Sequence, residues 1–82
     1  PGNPFYYSNR GATRGSLGDL PKSIDDFTAA LNLKPDYVDA FRNRGIAKLK
    51  MNDKTGACQD FRAATTLGDK SISGLMKTGC EN

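Results

Sequence analysis

The chain has 82 residues, enough for one domain at most, and its twelve lysines and arginines outnumber nine acidic residues to give a formal net charge of +3. It has no histidine and only two cysteines, so the commonest catalytic base is missing and the usual zinc ligand sets cannot be built. We therefore expect no enzyme activity, no metal and no cofactor. No run of eighteen apolar residues is present, so neither a transmembrane helix nor a membrane partner is expected.

Two helices are predicted in the amino-terminal half of the chain. Asn3 is the predicted N-cap of the first helix, with Pro4 at its first position, and helical signals continue to about Leu17. Pro21 opens the second helix, which stops before Pro35 because the residue preceding a proline is pushed out of helical geometry. Apolar residues of the second helix recur at helical spacing: Ile24, Phe27, Ala30 and Leu31.

Three further helices are predicted after Pro35, and Gly68 is expected to end the second of them. They are a third helix capped by Asp36 and reaching about Met51, a fourth from about Lys54 to Leu67, and a last helix from Asp69 or Ser71 to about Gly79. The predicted fold class is therefore all-α, with about five helices.

The chain also repeats itself with a period of 34 residues. Placing residues 4–37 on 38–71 makes nine positions identical: Asn9/Asn43, Arg10/Arg44, Gly11/Gly45, Asp19/Asp53, Asp26/Asp60, Phe27/Phe61, Ala29/Ala63, Ala30/Ala64 and Leu33/Leu67. A fixed period of this size indicates stacked supersecondary units that bury their apolar faces against one another. It favours a scaffold that binds other molecules over a pocket that performs chemistry.

The spacing within each unit is also informative. An aromatic residue precedes a glycine by four positions in Tyr7–Gly11 and Phe41–Gly45, and a small residue precedes Phe27 and Phe61 by four. This pattern resembles the tetratricopeptide repeat (TPR) family, whose unit is a 34-residue helix–turn–helix. The resemblance implies an α-solenoid of antiparallel helix pairs in one domain over 1–82, with repeat one at 4–37, repeat two at 38–71 and a capping helix at 72–82. We expect the chain, which begins without a methionine, to be a piece of a longer array.

The recurring glycines Gly11, Gly45 and Gly79 are expected to lie inside helices, where glycine costs about 1 kcal/mol relative to alanine. A cost repeated at one period indicates close approach of a neighbouring helix, with Phe27 and Phe61 on the other side of the contact. These residues are therefore assigned to packing.

In the TPR family the first helix of each repeat lines a concave groove. The first helices of this chain are rich in cations: Arg10, Arg14, Arg42, Arg44, Lys48, Lys50 and Lys77. Some of these stand where the family usually has apolar or aromatic residues, which makes the first helices unusually basic. The second helices carry Asp25, Asp26 and Asp60, which we expect on a solvated face. The resemblance thus implies a positive groove that prefers an acidic partner, although the cations could also form ordinary solvated faces.

The candidate peptide-binding residues are Asn9, Asn43, Arg42, Lys77, Arg10, Arg44 and Lys50. Asn9 and Asn43 lie two residues before the repeated glycines, and an amide can both donate to and accept from a peptide backbone. With Lys77 they partly resemble the two-carboxylate clamp of chaperone-binding TPR domains. The fuller clamp has lysine where this chain has Ser8 and Ser73, so chaperone tails are not expected as the ligand.

The two cysteines, Cys58 and Cys80, are each eleven residues from Asp69, the expected centre of the last turn. Residues equidistant from the turn of an antiparallel helix pair lie at the same height, so a disulfide is predicted, with two free buried thiols as the alternative. A loop of this size would stabilise the domain by about 3 kcal/mol. A disulfide would favour an extracytoplasmic location, and this part of the chain resembles the ends of TPR proteins exported by bacteria.

These observations predict a non-catalytic protein- or peptide-binding scaffold. An alternative is self-assembly or the capping of a longer array, since Phe5 and Tyr6 at the amino-terminal edge could form an exposed apolar patch. Tyr37 is expected to pack at the junction between repeats. Nucleic-acid binding is the least favoured of the three, because the positive charge is modest and no aromatic platform accompanies it.

Overall fold

The computed structural model describes residues 2–75 and residue 80. Within them the chain forms four long helices and one short helix and contains no strand: α1 (Pro4–Ser16), α2 (Leu20–Leu33), α3 (Val38–Lys50), α4 (Lys54–Thr66) and α5 (Ser73–Leu75). This confirms the all-α fold class. The capping helix predicted over 72–82 is described only at its start and at Cys80. Lys77 and Gly79 lie outside the described residues.

Three of the four long helices begin at a side-chain cap. The Asn3 carboxamide oxygen accepts a hydrogen bond from the Phe5 N–H at 2.9 Å, as predicted. Asp19 and Asp53, one of the repeated pairs, cap α2 and α4 in the same way. Each such cap stabilises a helix by about 1 kcal/mol.

The predicted cap of α3 is wrong. Tyr37 occupies the N-cap position without a side-chain hydrogen bond, and the Asp36 carboxylate accepts instead from Lys34 Nζ at 3.0 Å. The physical reason is the start of the helix at Val38, which leaves Asp36 one residue too far upstream to reach the free N–H groups.

The turns after α1 and α3 are equivalent under the repeat, although their sequences differ. Gly18 has φ of 88° and Asn52, 34 residues later, has φ of 64°. Glycine and asparagine are the residues that most readily adopt this left-handed conformation. Each turn therefore reverses the chain in a few residues, so that α1 packs on α2 and α3 packs on α4.

Among the described residues, two apolar clusters that meet at Phe41 form the core. The first joins the α1–α2 pair to α3 and contains Phe27, Ala30, Leu31 and Ala40, with Tyr7, Tyr37 and Phe41 packed against it. The second joins the α3–α4 pair to the carboxyl-terminal segment and contains Ala57, Cys58, Phe61, Ala64, Ile72 and Cys80, with Val38, Phe41 and Ile46 packed against it. Each cluster lies between one helix pair and the element that follows it.

The repeated glycines allow the helices of each pair to approach closely, as predicted. A Cβ atom added to Gly11 would lie 3.0 Å from Phe27 Cε1, and one added to Gly45 would lie 2.6 Å from Phe61 Cε1. Such separations are below normal van der Waals contact, so the phenylalanine rings occupy the space that a side chain would need. The glycines are therefore structural. No helix within the described residues is long and apolar enough to cross a membrane.

Candidate functional site

A buried carboxylate organises the cations of α1. Asp26 on α2 is only 3% exposed and accepts hydrogen bonds from Arg10 Nε at 3.1 Å and Arg10 Nη2 at 2.8 Å. A third bond comes from Arg14 Nη1 at 3.2 Å. The expectation that Asp26 belongs to a solvated face is therefore wrong.

The same arrangement recurs around Asp60, which is also 3% exposed. Its Oδ2 accepts from Arg44 Nε at 2.9 Å and its Oδ1 from Arg44 Nη2 at 2.7 Å, while Lys48 Nζ lies 3.2 Å from Oδ2. The expectation that Asp60 lies on a solvated face is therefore wrong as well. A buried carboxylate is unfavourable without partners, and each one has two cations within bonding distance.

A signal for these clusters was present in the sequence. Arg10/Arg44 and Asp26/Asp60 are both among the identical positions, and arginine and aspartate are 16 residues apart in each copy. The basic residues of the first helices are therefore matched by acids of the second helices. Hydrogen bonding to Asp26 also raises the pKa of Arg10 above its ordinary value.

Arg42 is held differently, on a part of α3 that faces the carboxyl-terminal turn. Its Nη1 donates to Asp69 at 2.9 Å, and its Nη2 donates to Asp39 at 2.9 Å. Hydrogen bonds from the hydroxyl and the N–H of Ser71, followed by Arg42, hold the pKa of Asp69 below its usual range. Arg42 thus anchors the turn that leads into α5.

An open cleft of about 180 Å³ lies where α1, α2 and α3 meet. Its lining consists of small residues of α1, two apolar residues and a serine of α2, and a mixed set from α3: Ala12, Gly15, Ser16, Leu20, Ser23, Phe27, Asn43, Ile46 and Lys50. Two of the predicted peptide-binding residues, Asn43 and Lys50, are therefore brought together. Sequence reasoning missed the small and apolar residues that form the rest of the cleft.

The other predicted binding residues that the structure describes are not part of the cleft lining. Asn9 is exposed on α1, and Arg10, Arg44 and Arg42 are engaged in the ion pairs described above. Lys50 is exposed and has no ion pair among the described residues. Ser8, at the position where the resemblance would place a clamp lysine, is buried.

Cys58 and Cys80 lie at disulfide-bonding distance, with their Cα atoms 5.5 Å apart. Both belong to the second apolar cluster, and Arg62 Nη2 donates to the carbonyl oxygen of Cys80 at 3.4 Å. The pair therefore joins α4 to the carboxyl-terminal segment. Among the described residues no cluster of acidic or cysteine side chains could hold a metal ion.

Stacked helix pairs, repeated glycine–phenylalanine contacts and a cleft on the first-helix side define a helical-repeat binding scaffold. A family model described as a TPR repeat matches residues 13–52. The chain belongs to the tetratricopeptide repeat family, whose members are protein–protein interaction scaffolds and are generally not catalytic.

Several curated proteins are similar to the chain. The mitochondrial import receptor subunit TOM70 of Saccharomyces cerevisiae is 36% identical over 67 residues, which cover 82% of this chain and 11% of the relative. Tetratricopeptide repeat protein 36 of Mus musculus is 34% identical over 58 residues, covering 71% of this chain and 31% of the relative. The Hsp70-Hsp90 organizing protein of Triticum aestivum is 31% identical over 75 residues, covering 92% of this chain and 13% of the relative.

The chain thus spans between 11% and 31% of the length of these relatives. All three come from eukaryotes, and the resemblance of the carboxyl-terminal part to exported bacterial proteins stays a prediction.

Proposed function

We propose that this chain is a non-catalytic scaffold that binds an extended segment of a partner protein on the face formed by α1 and α3. The observation that carries the proposal is the cleft lined by Asn43 and Lys50 together with the apolar residues Leu20 and Ile46. A volume of about 180 Å³ is below the roughly 300–1,000 Å³ of typical small-molecule sites, so it suits one or two side chains of a peptide.

The chemistry of the lining supports a peptide ligand. The Asn43 amide can donate to a backbone carbonyl and accept from a backbone N–H. Ile46 and Leu20 offer an apolar surface for a side chain, and the exposed Lys50 ammonium can pair with a carboxylate. The preferred segment would therefore carry an apolar residue close to an acidic one.

The paired cations contribute through their field rather than by direct contact. In each cluster two cations share a single carboxylate, so each keeps one excess positive charge. In both Arg10 and Arg44, each of the three guanidinium nitrogens already donates a hydrogen bond within the chain. We infer that Arg10 and Arg44 attract an acidic partner over several ångströms while Asn9, Asn43 and Lys50 contact it.

The names of two relatives support a protein partner. One is an import receptor subunit, and another organises Hsp70 and Hsp90, so each is named for work on other proteins. The buried Ser8 differs from the lysine of the chaperone clamp, and the proposal therefore does not include a chaperone tail.

Selection from a random dodecapeptide library, followed by calorimetric titration of the best peptides, tests this proposal. We expect Asn43→Ala and Lys50→Gln each to weaken binding by about 5- to 30-fold, since a hydrogen bond or ion pair of this kind contributes about 1–2 kcal/mol. Lys54→Gln is the matched control, because Lys54 is exposed, lacks an ion pair among the described residues and does not line the cleft.

A selected peptide that binds both cleft variants as tightly as the original chain would contradict the proposed site. Single-stranded RNA titrated at two salt concentrations serves as a second arm. Salt-sensitive RNA binding tighter than peptide binding would favour the nucleic-acid alternative.

A specific observation also favours self-association as a second candidate function. Phe5 is 52% exposed and Tyr6 is 43% exposed at the amino-terminal edge, while Tyr37 packs edge-to-face on Phe5 at 5.3 Å. Light scattering over a range of concentrations tests this candidate. A mass that rises with concentration and becomes constant in a Phe5→Ser, Tyr6→Ser variant would support it.

A further inference from the structure

The cleft between α1 and α3 has a buried part and an accessible part. Of its lining residues, Ser23 is 1% exposed and Phe27 is 2% exposed. Ser23 Oγ donates a hydrogen bond to the carbonyl oxygen of Gly11 at 2.7 Å, so its proton is already used within the chain. The remaining lining residues are half-buried or exposed, and a ligand in the cleft would therefore contact mainly them.

The accessible residues on α3 follow one another along one side of that helix. They are Asn43, Ile46 and Lys50, separated by three and four positions, which is the spacing of neighbours on a helix surface. At 1.5 Å of rise per residue, Ile46 and Lys50 are about 6 Å apart along the helix axis, and Asn43 and Lys50 are about 10 Å apart. The helix thus presents an amide, an apolar surface and an ammonium group in that order.

The α1 side of the cleft has small residues where the repeat places larger ones on α3. Counting 34 residues forward from Ala12, Gly15 and Ser16 reaches Ile46, Leu49 and Lys50. At Gly15 an added Cβ atom would lie 3.0 Å from Ser23 Oγ, which is closer than normal van der Waals contact. The space available to a ligand side chain therefore depends on the small size of these three α1 residues.

Building on the proposed peptide-binding function, we propose that the cleft recognises two side chains of an extended partner segment. An aliphatic side chain packs on Leu20 and Ile46, and a carboxylate two positions away pairs with Lys50. In an extended chain, residues two apart lie about 6.6 Å apart and point to the same side, which matches the spacing of Ile46 and Lys50. Residues one or three apart point to opposite sides. Ala12 and Ser16 limit the size of the aliphatic side chain.

The charge of the cleft favours a carboxylate as the second group. None of its lining residues is acidic. Lys50 is exposed and forms no ion pair within the part of the chain that the structure describes. The charge clusters around Asp26 and Asp60 each keep one excess positive charge, and their cations lie on the same two helices, α1 and α3. Their field would concentrate an acidic segment near the cleft.

Titration of the full chain with a set of end-capped synthetic peptides, followed by NMR chemical shifts, tests the spacing. Each peptide has one leucine and one aspartate in a glycine–serine background, in either order, separated by zero, one, two or three serines. We expect the peptides with one intervening serine to bind about fivefold more tightly than the others, as an ion pair at an accessible site allows. Replacing their aspartate with asparagine, or Lys50 with glutamine, should remove this preference.

Enlarging the α1 side of the cleft tests the size limit. Ala12→Ile should weaken binding of the best leucine peptide by about tenfold, the ratio expected from losing the partial burial of one aliphatic side chain. A matching peptide with alanine in place of leucine should bind this variant as it binds the original chain. Thr13→Ile is the matched control, because Thr13 is exposed and does not line the cleft. Ser16→Leu is a second variant, and circular dichroism verifies the folding of each.

Equal affinity at every spacing, or a Lys50→Gln variant that keeps the spacing preference, would overturn the proposed motif. Absence of binding by the whole set at millimolar concentration would do the same, while the library selection would still decide whether this face binds peptides. Undiminished binding of the leucine peptide to both Ala12→Ile and Ser16→Leu would overturn the size limit. Failure of the proposed function is a different result, in which neither Asn43→Ala nor Lys50→Gln weakens any selected peptide.

Discussion

The two helix pairs contain the same charge cluster in different surroundings. Asp26 and Asp60 have side chains that are equally buried, but Arg10 and Arg14 are 38% and 33% exposed, whereas Arg44 and Lys48 are 17% and 20% exposed. The second cluster is more buried because the first helix pair covers it. The same residues at the same spacing can therefore contribute differently to stability, depending on what packs against them.

The third nitrogen of each arginine shows the difference most clearly. Arg10 Nη1 donates to the hydroxyl of Tyr6 in its own helix, at 3.1 Å. Arg44 Nη1 donates to Thr28 Oγ1 on α2, also at 3.1 Å, and so crosses from one helix pair to the other. The second cluster thus links neighbouring pairs, while the first is confined to its own pair.

The largest expected effect comes from removing the charge of the more buried carboxylate. Asp60→Asn leaves Arg44 and Lys48 without a counter-ion in a poorly solvated site, and we expect a loss of about 2–3 kcal/mol in the free energy of unfolding. Asp26→Asn should cost about 1 kcal/mol, because water can better solvate Arg10 and Arg14. Urea denaturation of the oxidised chain measures both, and equal losses would mean that the covering helix pair has no effect.

A smaller effect is expected from the repeated glycines. Gly45→Ala would place a Cβ against the Phe61 ring and 3.2 Å from the Ala57 carbonyl oxygen, so overpacking should outweigh the gain in helix propensity by about 1–2 kcal/mol. Gly11→Ala meets its nearest atoms at 3.0–3.1 Å and should lie within about 1 kcal/mol of the original chain. Thermal unfolding would rank the two, and the reverse order would show that Phe61 moves aside more easily than Phe27.

The smallest effect is expected from the Arg44–Thr28 hydrogen bond, which links the two helix pairs. Thr28→Val removes the acceptor for Arg44 Nη1 and should cost about 0.5–1 kcal/mol. Thr13→Val is the matched control, because Thr13 Oγ1 donates only to the Asn9 carbonyl within α1. A double-mutant cycle that combines Thr28→Val with Asp60→Asn should give a measurable coupling energy. Strict additivity of the two substitutions would show that the hydrogen bond between the helix pairs does not contribute to stability.

Much of the local structure could be predicted from the sequence because its causes are local. Asn3 was predicted as an ordinary cap and is one, and the glycine–phenylalanine period predicts the close helix contacts. The predicted cap at Asp36 is wrong because α3 begins at Val38, one residue later than that cap requires. Helix ends are sensitive to such small shifts, because an N-cap must reach specific N–H groups.

The charge clusters and the cleft could not be predicted in the same way. Helical periodicity assigns Asp26 and Asp60 to the polar side of a helix, but it does not show that an arginine from the neighbouring helix covers that side. Likewise Asn43 and Lys50 were predicted from their positions on a first helix, whereas their neighbours Gly15 and Leu20 come from two other helices.

The amino-acid sequence by itself determined the helices, their period and the glycine positions that allow each pair to close, because these depend on residues within one or two turns of each other or on exact repetition. Tertiary structure alone decided which cations are neutralised, which remain available and how deeply each cluster is buried. Those properties arise when helices distant in sequence meet, since the cost of burying a charge depends on every group around it.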